Sequence, residues 1–157
     1  MLASPILAAR RRNRDDDGFT LIELMVVVLI IAILIAIAIP TFLGARSRAQ
    51  DRAAQSSLRN ALTAAKTIYT DGEDYTQATP TALAGVEPSL TFQATASTSQ
   101  NQVFVDAVND HNIIMAAYSK SGTCMWISDD TQGPGTQYNK VSGACTTTVP
   151  TSWNSSW

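Results

Sequence analysis

Glu23 is the residue with most chemistry to explain. It stands fifth in the run 19–39, FTLIELMVVVLIIAILIAIAI, which is apolar except at Thr20 and Glu23. Between Asp17 and Arg46 it is the one charge. A carboxylate in an apolar span costs about 2.5–3.5 kcal/mol on insertion scales, so such groups carry a partner and a role. No Lys or Arg lies within the run. A cut immediately before Phe19 would supply a partner, because it creates an α-amino group four residues from Glu23, on the same copy or a neighbouring one. A second reading places Glu23 close enough to the end of the run to reach lipid headgroups.

The other reactive residues are few. Two cysteines, Cys124 and Cys145, lie beyond the apolar run, and that context predicts a disulfide in an oxidising compartment. It would pin a C-terminal loop to a strand. Two Cys and one His cannot supply four zinc ligands, so no metal site is expected. His111 is the single histidine and reads as a strand-edge or loop residue. No G-x-S-x-G, H-E-x-x-H, P-loop or G-x-G-x-x-G occurs. We therefore expect no catalytic residues, no cofactor and no enzyme activity. The carboxylates of Asp71-Gly72-Glu73-Asp74 and Asp129-Asp130 read as solvated loops rather than calcium ligands. Formal net charge is -2, which gives no electrostatic support for nucleic-acid binding.

These residues must be positioned by two unlike halves. A helix of 21 residues rises about 31 Å, the hydrocarbon thickness of a bilayer, so the run predicts a membrane-spanning helix. Arg10, Arg11, Arg12 and Arg14 precede it and favour a cytoplasmic N-terminus, although Arg46, Arg48 and Arg52 follow on the other side. After Pro40, Ala54, Leu58, Ala61, Leu62, Ala65, Ile68 and Tyr69 recur at three- and four-residue steps. That is an amphipathic stripe, closed by Gly72, and it predicts one helix from 20 to about 70. Pro40 removes a helix hydrogen bond and Gly44 adds freedom, so a kink or local opening is expected there. From 72 onward short β-like runs appear at 90–95, 103–108, 113–120 and 123–128, with Ser121-Gly122 as a hairpin turn. Residues 129–145 read as a glycine-rich loop with a short strand at 137–141. Asn154-Ser155-Ser156 fits a glycosylation pattern but reads as a polar, frayed tail. The expected fold class is α+β: a long N-terminal helix packed on a small antiparallel sheet.

Gly18-Phe19-Thr20-Leu21-Ile22-Glu23 followed by an apolar run resembles the type IV pilin, or prepilin-type cleavage and methylation, signature. The resemblance is tight over 15–45 and looser to about 70. It implies a leader at 1–18, a helix at 19–70 whose 19–39 segment spans the membrane and then fills a filament core, and a β-rich head at 71–157. It implies cleavage between Gly18 and Phe19 by a prepilin peptidase, N-methylation of Phe19, and an assembly role for Glu23 with Thr20. Pro40 falls at the twenty-second mature position, where pilins often carry a helix-disrupting proline. One departure is Asp15-Asp16-Asp17 directly before Gly18, where many prepilins have a basic residue. The implied partners are other copies of the chain, the peptidase, the pilus assembly machinery and the cytoplasmic membrane; the assembled form would be extracellular.

Elementary physics explains such a design. Before cleavage no amine exists, and Glu23 is expected to be unpaired. After cleavage, an amine of one copy on Glu23 of another is a head-to-tail contact, and contacts of that kind that do not close build helical filaments. Two other readings remain. Within the family, the chain could be a minor pilin or a secretion pseudopilin. Outside it, Ala36-Ile37-Ala38 resembles a signal-peptide site whose cleavage would release a soluble secreted protein.

Overall fold

The computed structural model of the chain describes residues 18–157. The expected leader, apart from Gly18, and its arginines lie outside the described residues. One helix, α1 (Leu21–Gly72), contributes to two compact units, one ending at Pro40 and the other spanning Thr41–Trp157.

Beyond Thr20 the first unit is helix alone among the described residues. Its sequence lacks glycine and proline from Phe19 to Ile39. A helix satisfies its own backbone hydrogen bonds, which suits a segment with no polar neighbours.

In the second unit, α1 buries Ala54, Ser57, Leu58, Ala61, Leu62, Ala64 and Ala65. Leu58 and Leu62 supply the bulk of this face, and the alanines fill between them against the sheet. The helix stops at Gly72, where Glu73 takes a left-handed φ of 56° and donates its N–H to Tyr69 O at 2.6 Å. A 3₁₀ turn at Tyr75–Gln77 follows, capped by Asp74. Then comes α2 (Pro80–Val86), which the sequence reading missed. Its signals were present: Thr79 caps it by accepting from Ala82 N at 3.3 Å, and Pro80 opens its first turn.

Five strands form one sheet in the order β1 (Thr91–Gln93), β2 (Gln102–Ala107), β3 (Asn112–Ser119), β4 (Thr123–Asp130), β5 (Gly135–Ser142). All pairs are antiparallel except β1 with β2, which run parallel. The β3–β4 hairpin turns at Gly122, whose φ of 90° needs glycine. Side chains alternate faces. Val103, Ile113, Met115, Ala117, Met125 and Ile127 meet α1. Phe104, Ile114, Ala116, Cys124 and Trp126 line the opposite face with Cys145.

The expected loop at 129–145 is corrected, while the short strand expected at 137–141 is found within a longer one. Strand β4 continues to Asp130, and β5 pairs with it over eight residues, from Asp130↔Gly135 to Thr123↔Ser142. An edge strand spelled GTQYNKVS is polar on most positions, which hides its full length from a hydrophobic pattern. The expected frayed tail is also corrected. Asn154 exchanges both backbone hydrogen bonds with Tyr138 at 2.8 Å, and Trp157 Nε1 donates to Trp126 O at 2.9 Å. The Trp157 ring lies 4.4 Å from that of Tyr138, and the Arg59 guanidinium sits 5.0 Å over it.

Cys124 and Cys145 form the expected disulfide. It ties the chain after β5 to the outer face of the sheet, where Val149 and Trp153 also pack.

Candidate assembly site on the apolar helix

The start of α1 is a capping box. Thr20 N donates to Glu23 Oε2 at 2.9 Å, and Thr20 Oγ1 donates to the same oxygen at 2.6 Å. In return Glu23 N donates to Thr20 Oγ1 at 3.2 Å. The expectation that Glu23 is unpaired before cleavage is thereby corrected: within one chain its carboxylate already has the Thr20 partners. The sequence signal was Thr20-x-x-Glu23, which satisfies backbone N–H groups that the helix start leaves open. A carboxylate there also favours the positive end of the helix dipole. Phe19 precedes the cap and is 85% exposed.

From Gly18 to Leu43 every residue is exposed. The best 18-residue window of α1 has a mean hydropathy of 3.3. An apolar surface of that extent needs a cover in water, and lipid or identical helices would provide one. Pro40 and Gly44 do not break α1, which continues through both; this corrects the expected opening. Proline's fixed φ is itself helical, and one missing N–H does not oblige the neighbouring hydrogen bonds to open. Gly44 lies one turn further along α1, within the described helix.

Comparison with known proteins bears on this segment. Residues 13–39 match the family model described as the prokaryotic N-terminal methylation motif. The chain is also 44% identical over 65 residues to the "Type IV major pilin protein PilA" of Myxococcus xanthus (strain DK1622). Over this segment the chain carries the prepilin-type methylation motif, and over the matched residues it is similar to a type IV major pilin. That match covers 41% of this chain and 30% of the Myxococcus protein, so the chain spans less than a third of that curated relative. No solved structure matches the chain.

In the second unit, two polar anchors fix α1 along the β3–β4 hairpin. Near the turn, Asp51 accepts from Ser119 Oγ at 2.7 Å and from Ser121 Oγ. Near the open end, the buried Asp129 carboxylate meets Lys66 Nζ at 2.9 Å. It also accepts from Tyr75 Oη at 2.7 Å and Thr136 Oγ1 at 2.5 Å. Asp129 is therefore not the solvated loop residue expected. None of these contacts was legible, because each joins residues distant in sequence. His111 sits just before β3 as expected, 3.3 Å from Asp110 and 3.4 Å from the Tyr69 hydroxyl. Among the described residues no cluster of three or more metal-ligating side chains occurs.

Burial pushes the Asp129 carboxyl up, but hydrogen bonds from Thr136, Tyr75 and Lys66, with the Lys66 charge, hold it below its ordinary range. Burial first, then the bond to Asp129 and its charge, pushes the Tyr75 phenol up. Because Asp129's folded value lies below its unfolded one, its stabilisation is complete above the unfolded value near pH ~4. It is lost as pH falls through the folded value. Tyr75 has the opposite sign: its contribution is complete below about pH 10 and is lost above that. Asp129→Ala should lower stability by about 2–3 kcal/mol, since Tyr75 and Thr136 lose a buried acceptor while half-exposed Lys66 turns to water. Thermal melts of the full chain in detergent micelles across pH check this. The variant should lie below the wild type at neutral pH and converge on it in acid; parallel curves at all pH values would refute the account.

Proposed function

We propose that the chain is the structural subunit of a type IV pilus. A prepilin peptidase removes residues 1–18, and Phe19 becomes an N-methylated N-terminus. The 19–39 segment holds the subunit in the cytoplasmic membrane, N-terminus inside, until the assembly machinery transfers it into an extracellular filament of identical copies. The observation that carries this reading is the first part of α1: it is apolar and exposed on every face, with one carboxylate at its start. Lipid and a bundle of such helices are interchangeable covers for that surface. In the filament, the Phe19 amine of one copy meets Glu23 of another, replacing or joining the Thr20 contacts. In a dry core that pair is much stronger than at a surface.

Electron microscopy of filaments sheared from cells, with mass spectrometry of their subunit, tests the reading. The subunit should begin at N-methylated Phe19, and removing 18 of the 157 residues leaves 139. The Cys124–Cys145 bond should be intact. Filaments built from another protein, or a subunit beginning at Met1 or Ile39, would overturn the proposal.

A further inference from the structure

The second unit is electrically polarised along α1. At the β3–β4 turn, Leu43, Arg46, Ser47, Gln50, Lys120 and Ser121 line one groove. Arg48 and Arg52 lie on the same turns of α1, and all four basic residues are exposed. The one carboxylate at this end, Asp51, is occupied by Ser119 and Ser121. Neither ion pair among the described residues uses Arg46, Arg48, Arg52 or Lys120. At the other end, Asp71 and Glu73 project from the close of α1 and are exposed. Asp74 beside them is held by Thr76, and exposed Asp110 is brought close by the Tyr75 N–H to Asp110 O bond at 2.8 Å.

The separation of the two ends follows from the elements. Lys120 follows the end of β3, whereas Asp110 precedes its start, and eight strand residues span about 26 Å. Along α1, residues 46 and 72 are about 40 Å apart. Unlike charges at opposite ends cannot pair within one chain, but they pair between copies stacked in the same direction.

We infer that the basic groove of Arg46 and Lys120 on one copy receives the acidic turn of Asp71 and Glu73 from another copy displaced along α1. The occupant is a second copy because the two ends are complementary in sign and lie along a common axis. This contact rests on the filament reading, and it adds to it a salt-sensitive register between heads. It fixes the sliding of neighbouring heads, beside the register that the Phe19–Glu23 pair sets at the start of the apolar segment.

A carbodiimide that joins an amine to a carboxylate without a spacer tests the inference on intact filaments. Since Lys120 and the acidic turn are far apart in one chain, an amide between Lys120 and Asp71 or Glu73 joins two copies. That amide should be found by mass spectrometry in filaments, disappear after dissolution in detergent, and fall in yield at molar salt. Lys120→Glu should lower filament yield several-fold, and adding Glu73→Lys should recover it. Normal filaments whose Lys120 never links to Asp71 or Glu73 would overturn the contact while leaving the pilus reading intact. Loss of membrane-bound Lys120→Glu subunit, with the link absent from wild-type filaments, would assign the groove to anionic lipid and overturn it too. A wild-type strain whose surface filaments lack this subunit would remove the pilus reading and this contact together.

Discussion

Glu23→Val is expected to abolish surface filaments while leaving the subunit in the membrane fraction. The substitution removes the only charge of the span, so insertion becomes easier by about 2–3 kcal/mol at most. A simple anchor or a signal peptide would tolerate that change. A filament subunit would lose the partner of the Phe19 amine and leave a cation in an apolar core. An unpaired buried charge costs about 3–5 kcal/mol, and the cost recurs in every subunit. Cleavage after Gly18 should persist, because the scissile bond is unchanged.

The capping box complicates that variant, since valine also removes the acceptor of Thr20 N and Thr20 Oγ1. Glu23→Gln separates the two effects. Glutamine can replace glutamate in a capping box, so the helix start survives, but it carries no charge for the amine. If charge pairing drives assembly, Glu23→Gln should fail almost as completely as Glu23→Val. If the cap is what matters, glutamine should restore filaments. The measurement is filament yield beside membrane-fraction subunit in strains carrying only the variant. Abundant filaments with valine would eliminate the amine–carboxylate mechanism; abundant filaments with glutamine alone would reduce Glu23 to a helix cap.

What the sequence revealed followed the range of its interactions. The apolar run, the stripe from Ala54 to Tyr69 and the hairpin at Gly122 are local patterns, and each became the expected element. The Cys pair was legible from number and context. The capping box is equally local, since Thr20-x-x-Glu23 pairs the carboxylate with its own helix start rather than with a distant cation. Asp129 defeated a local reading altogether. In sequence it begins Asp129-Asp130-Thr131-Gln132-Gly133, which resembles a solvated turn. In the fold, pairing with Thr136 turns it toward α1, where Lys66 and Tyr75 await it. The polar strand β5 is held by the same long-range pairing and by the tail that bridges it at Tyr138. Alternation of apolar residues reports the middle of β5, at 137–141, but not the full length of a strand whose partners supply most of the apolar surface.

That tail sets the expected outcome of cutting the Cys124–Cys145 bond. The closed loop of about 22 residues is worth about 3.4 kcal/mol in the chain-entropy model, so reduction or Cys145→Ala should lower the stability of the second unit by up to that amount. The first segment to loosen should not be the whole of 129–145, because β5 keeps its eight-residue ladder with β4. It should be the chain after β5, where Thr146, Thr148 and Val149 run over the outer face beside Trp126. Asn139 Nδ2 still donates to Ser152 O at 2.6 Å, and Trp157 still reaches Trp126 O, so residues from Ser152 onward keep their own attachments. Hydrogen exchange should therefore rise first between Gly143 and Thr151, with Trp126 fluorescence shifting as its cover lifts, before any change along α1. The second half of α1 lies on the other face of the sheet and depends on Leu58, Leu62, Asp51 and Lys66; the polar anchors of the last two are Ser119, Ser121 and Asp129, all outside 143–151. Loss of protection in α1 at the same rate as in 143–151 would show instead that the disulfide holds the unit as one cooperative block.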